Sequence, residues 1–178
     1  MTEVIRRGVT ALTVPALLLF ALAAPTGVAA GNDARFPDLG ECGELQVEEG
    51  NKVAFAAYGV GVQIYRWDGT NWVFVAPEAL LFHGNGVVAT HFAGPTWESN
   101  SGSTVVGAVI DKCIPDPNSI PWLLLAAAET EGPGIFADVT FIQRLNTAGG
   151  VAPSEPGDFV GEVARVPYTA DYVFYRKK

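Results

Sequence analysis

Lys52–Val75 reads KVAFAAYGVGVQIYRWDGTNWVFV, and its pattern is that of a β-hairpin. Lys52–Trp67 is rich in Val, Ile and Tyr, residues that suit a pleated, half-buried surface. Gly59 and Gly61 inside this run predict a bulge or bend. Asp68-Gly69-Thr70-Asn71 then stands between Trp67 and Trp72, a polar turn set between two strand-forming segments. The strand resumes over Trp72–Val75, and Pro77, which has no N–H to give a ladder, is expected to interrupt it.

The same punctuation continues outward from this hairpin. Gly84-Asn85-Gly86 predicts a second hairpin leading into Val87–Ala93, and Asn100-Ser101-Gly102 a third turn. Ser103–Ile114 is apolar on both faces around Val105–Ile110, as a central strand would be. Pro115, Pro117 and Pro121 make a rigid connection. Trp122–Glu129 reads equally as helix or strand, because Leu and Ala favour the former and its neighbours the latter. Phe136–Thr147 alternates, with Val139, Phe141 and Leu145 against Asp138, Thr140, Arg144 and Asn146, which puts Arg144 on the polar face. Gly149–Gly161 is a Gly/Pro-rich loop, and Tyr168–Phe174 closes the chain with Tyr168, Ala170, Tyr172 and Phe174 on one face. Upstream, Glu44–Glu49 alternates as a half-buried strand, with Leu45 and Val47 on its apolar side. About eight to ten short strands and no amphipathic helix specify an all-β, single-domain antiparallel β-barrel or β-sandwich.

The N-terminus gives an address. Arg6 and Arg7 precede an uncharged run from Val9 to Val28, and Val28-Ala29-Ala30 matches the small-x-small pattern of signal peptidase, with cleavage before Gly31. Pro15, Pro25 and Gly27 weaken the alternative of an uncleaved membrane helix. The expected organisation is a signal peptide over 1–30, a polar leader over 31–43 and one β domain over 44–178. The expected destination is secretion, the periplasm or the cell envelope, with no stable membrane span after signal removal. The chain has 178 residues and a net charge of −8, so it does not read as a nucleic-acid binder. Its 49% hydrophobic content excludes a disordered protein. Cys42 and Cys113 are the two cysteines, and export makes one disulfide between them the expectation, with two buried free thiols as the other reading. With two histidines at their spacing they make no zinc site, and neither a metal nor a cofactor is expected. Oligomeric state is left open.

Six ordered blocks carry a family resemblance: GVQIYRW (Gly61–Trp67), WVFVAPEALLF (Trp72–Phe82), HFAGPTWE (His91–Glu98), IPWLLL (Ile120–Leu125), QRLNTAGGVAP (Gln143–Pro153) and YTADYVFY (Tyr168–Tyr175). In this order the chain resembles an exported bacterial and fungal family, the domain of unknown function numbered three-four-five-five, over roughly Val53–Tyr175. The resemblance implies export and a β-rich fold and no activity. The family pattern has cysteine where Arg66 stands and another near Pro153–Gly157; both are absent here, which fits joint loss of one disulfide. The family often reads D-G-S where this chain has Ser101-Gly102-Ser103.

Candidate chemistry is sparse. Gly59-Val60-Gly61-Val62 lacks the third glycine of a dinucleotide fingerprint, since Ile64 stands there and a strand follows. No G-x-S-x-G elbow occurs, and Ser99, Ser101, Ser103, Ser119 and Ser154 read as turn residues. His83 reads as an exposed turn residue. His91 shares a strand face with Val87, Ala89 and Ala93, either as a core histidine bonded to backbone or as a ligand donor. Trp97 and Glu98 follow it after the Gly94-Pro95 bend, and Arg144 could complete a rim. His91, Trp97, Glu98 and Arg144 are therefore the expected ligand-binding set. The favoured function is a non-catalytic module for a small-molecule or glycan ligand. The alternative is a small exported enzyme running acid–base chemistry with His91 and Glu98.

Overall fold

The computed structural model describes residues 36–178, so the expected signal peptide and the Gly31 cleavage point lie outside the described residues. The hairpin at Lys52–Val75 forms, but its register shifts fall at Val53/Phe55 and Ile64/Tyr65 and not at Gly59 or Gly61, which pair in register on both sides. Asp68 turns the chain by accepting the N–H groups of Thr70 and Asn71 on Oδ1, each at 2.8 Å, between β1 (Asn51–Trp67) and β2 (Trp72–His83). Gly84 and Asn85 then lead into β3 (Gly86–Phe92), and the Gly94-Pro95 bend into β4 (Thr96–Ser99). The Asn100–Gly102 turn leads to β5 (Thr104–Cys113), the proline-rich connection to β6 (Trp122–Glu131), and β7 (Val139–Gly149) and β8 (Val163–Lys177) complete the order. Every strand pairs antiparallel with the next, and β8 returns to pair with β1 from Asn51↔Lys177 to Arg66↔Val163. The result is a closed barrel of eight strands in sequence order, in which every strand has a paired neighbour on each side for at least part of its length. Of the two architectures read from the sequence, the barrel is the one adopted.

Two further segments differ from expectation, and one with two readings takes the second of them. Glu44–Glu49 joins no strand ladder: Gly43–Leu45 is a single 3-10 turn, although Leu45 and Val47 are buried as the alternation implied. Pro77 does not end its strand. β2 pairs with β3 only from Ala79 onward, so around Pro77 one side of β2 has no ladder to interrupt. Trp122–Glu129 resolves as strand β6, because pairing to β5 and β7 outweighs the helical preference of Leu and Ala.

Two apolar cores result. One fills the barrel, built from Leu81, Val105, Phe136, Phe174 and their neighbours, and it plugs the end where β1, β3, β5 and β7 begin. The other lies outside the barrel wall, where Leu39, Cys42, Leu45 and Val47 strap across Leu124, Phe141, Leu145, Val173 and Tyr175. The strap is fastened by the Cys42–Cys113 disulfide, with Cα atoms 5.7 Å apart. A buried polar clasp adds to it: Gln143 donates to the Leu45 carbonyl at 2.7 Å while Tyr175 donates its hydroxyl to Gln143 Oε1 at 2.6 Å. This second core corrects the reading of β7. Phe141 and Leu145 face the strap, whereas Ile142 and Arg144 face the barrel interior.

The Gly149–Gly161 loop lies beside the end of β1. Trp72 donates its indole N–H to the Glu155 carbonyl at 2.8 Å, and a Cβ on Gly157 would fall 2.6 Å from the Trp67 ring. These contacts tie the loop to the β1–β2 hairpin.

Candidate functional site

The barrel's other end, where β2, β4, β6 and β8 begin, is not plugged. Strand alternation carries Gln63 and Tyr65 of β1, His91 of β3, Trp97 of β4, Arg144 of β7 and Tyr172 of β8 inward there. They line a cavity of about 320 Å³. The remaining wall is apolar, including Pro77, Ile120, Leu123 and Leu125, and Phe74 and Val109 stand half-exposed. Glycines make room for the wall: a Cβ on Gly59 would lie 2.6 Å from the Tyr172 ring, and one on Gly61 would lie 2.1 Å from the Glu78 carbonyl.

His91 and Trp97 face each other across the β3–β4 ladder and stack with ring centroids 4.3 Å apart and planes 6° from parallel. Tyr172 meets both rings edge-on. His91 is 3% exposed, and its Nδ1 lies 2.9 Å from the Thr96 carbonyl. A carbonyl only accepts, so Nδ1 carries the proton. Burial pushes the imidazole pKa down to about 3, outweighing the Thr96 bond that would raise it, and the nearby Arg144 charge adds a smaller push in the same direction as burial. The ring is therefore neutral at ordinary pH, with Nε2 a bare acceptor.

Arg144 donates through Nε and Nη2 to the Pro121 carbonyl, at 3.2 and 2.9 Å. Among the described residues its guanidinium has no carboxylate partner; the ion pair there is Arg165–Glu78, on the outer surface. Burial raises the phenol pKa of Tyr65, Tyr168 and Tyr172, and the Arg144 charge pulls each back. These hydroxyls stay protonated. Tyr65 spends its proton on the Gly150 carbonyl at 2.6 Å, and Tyr168 and Tyr172 bond each other at 3.0 Å. Among the described residues two buried donors have no hydrogen-bond partner: Gln63 Nε2 and Trp97 Nε1. A buried polar atom without a partner costs about 1–3 kcal/mol, and both belong to residues that line the cavity.

Of the four expected ligand residues, His91, Trp97 and Arg144 meet at this cavity and Glu98 does not. Glu98 follows Trp97 by one residue on β4, so it faces solvent, paired across from the outward Thr90. The acid–base pair of His91 and Glu98 is split between the two sides of the wall. Trp97 is itself buried beneath His91 and not displayed on a rim. His83 is exposed, as expected, and bonds the Ala56 carbonyl through Nδ1 at 2.8 Å. Ser99 and Ser103 are more than turn residues: their hydroxyls bond at 2.8 Å in the buried floor of the β4–β5 turn. Among the described residues no cluster of His, Cys, Asp or Glu could hold a metal ion, and no helix is long and apolar enough to cross a membrane. Sequence reasoning passed over Gln63, a polar residue in the otherwise apolar run GVGVQIY, and that interruption was its available signal.

No curated protein and no solved structure gives a significant match to the chain. A family model does match residues 82–176, which hold His91, Trp97, Arg144 and Tyr172. That span is more than half of the sequence, and the chain belongs to the family described as Protein of unknown function (DUF3455).

Proposed function

We propose that this protein is an exported, non-catalytic binding module that takes a small molecule into the open end of its barrel. One observation carries the reading: the open end of the barrel holds a mostly apolar cavity lined by Arg144, which has no carboxylate partner among the described residues. Ligand sites commonly combine an apolar wall with a few fixed polar groups, and about 320 Å³ sits at the small end of their range. The opposite end is plugged by Phe136 and Phe174, which favours a compact molecule over a polymeric glycan threading through. Export rests on the Val28-Ala29-Ala30 signal and fits the Cys42–Cys113 bridge.

A thermal-shift screen of small apolar and amphipathic compounds tests the binding role. Ligands should raise the melting temperature of the wild-type protein and lose that effect in Leu123→Trp, whose indole would occupy the cavity. Stabilisation that persists unchanged in a folded Leu123→Trp variant would place the ligands elsewhere and refute the reading. The export claim predicts an intact mass beginning at Gly31 for the secreted species.

A further inference from the structure

The cavity's charge is one-sided, and this points to the chemistry of its occupant. Arg144 lines it and brings a full positive charge, which the Pro121 carbonyl and the Tyr172 hydroxyl meet but no carboxylate does. No Asp or Glu lines the cavity, although the chain as a whole carries a net charge of −8. A cation kept without a carboxylate in an acidic protein is an arrangement that an anion completes. His91, nearby, is neutral and so does not offset the charge. Around these groups the wall is aliphatic and aromatic, which asks for an apolar body. A cavity of about 320 Å³, at the small end of ligand sites, suits a compact molecule.

Resting on the reading of the cavity as a small-molecule site, we infer that its ligand is a small carboxylic acid with an apolar body. The carboxylate pairs with Arg144, and the apolar body lies against Leu123, Leu125 and Val109.

Isothermal titration with phenylpropionate and octanoate, set against the neutral phenylpropanol and octanol, tests the assignment on the full mature chain. Each carboxylate should bind about ten- to a hundred-fold more tightly than its alcohol, the range expected when a charge-assisted hydrogen bond is gained. Arg144→Gln should bring the acids down to the affinity of the alcohols and leave the alcohols unchanged, which also reports that the variant is folded. Glu98→Gln, on the outer face, should change neither. Acids and alcohols binding equally, or acids unaffected by Arg144→Gln, would overturn the carboxylate assignment while leaving the binding site in place. Failure of all four probes, with neutral compounds found in the thermal screen, would have the same meaning. Failure of every compound in both experiments would remove the binding role as well. Should Arg144→Gln not fold, the acid-over-alcohol ratio of the wild-type protein decides.

Discussion

Replacing His91 by Asn should make the protein markedly less sensitive to acid. The imidazole is held neutral, with a pKa of about 3 in the folded chain against an ordinary value of 6.5. Above pH 6.5 neither the folded nor the unfolded chain binds a proton there, and the residue contributes no pH dependence. As pH falls below 6.5 the unfolded chain takes up the proton and the folded chain does not, so stability declines by about 1.4 kcal/mol per pH unit until the folded pKa is reached. From pH 6.5 to pH 4 the loss from this one residue amounts to about 3 kcal/mol. Asn can still donate to the Thr96 carbonyl but does not titrate. It should cost about 1–3 kcal/mol at pH 7 through the lost ring and its stacking on Trp97. Urea unfolding of both proteins at pH 7, 6, 5 and 4 gives the difference directly. The gap between wild type and His91→Asn should shrink with falling pH, and should vanish or invert by pH 4. Parallel stability curves over the whole range would refute the argument, because they would mean that His91 takes its proton as readily folded as unfolded.

Cys42→Ser with Cys113→Ser opens a loop with a sequence separation of 71, and should lower stability in urea by about 4 kcal/mol on the loop-entropy estimate, with barrel circular dichroism retained. Gly61→Ala forces a Cβ to 2.1 Å from the Glu78 carbonyl and should cost about 3 kcal/mol in urea melts. Gly86→Ala, whose Cβ meets nothing within 4 Å, should stay within about 0.5 kcal/mol. Gln143→Leu strands the Leu45 carbonyl and the Tyr175 hydroxyl and should cost about 2–5 kcal/mol, with faster amide exchange across the strap than across the barrel.

The fold was legible because its signals are local. Asp68–Asn71, Gly84–Gly86 and Asn100–Gly102 turn the chain where their backbone chemistry requires it, and each turn separates strands that pair next to one another. The inward row of Tyr168, Ala170, Tyr172 and Phe174 followed from simple alternation. The same rule misled at β7, because alternation says which residues share a face and not which face is inside. Phe141 and Leu145 are apolar on account of the strap that covers them from outside. Arg144, on the opposite side of the strand, is thereby an interior residue.

Sequence alone determined that the chain is all-β, antiparallel and rich in tight turns, that a disulfide was the expected state of its two cysteines, and that His91 merits scrutiny among apolar neighbours. These properties depend on period-two patterning, backbone preferences at turns and redox setting, all of which act over a few residues or on the whole composition. Only the tertiary structure decided that the sheet closes, that His91, Trp97 and Arg144 meet while Glu98 faces out, and that Gln63 completes their cavity. Closure brings together strands from opposite ends of the chain, β1 against β8, and one residue of register sends a side chain to the other side of the wall. No local pattern records where that wall curves, so none can say which polar residues end up enclosed.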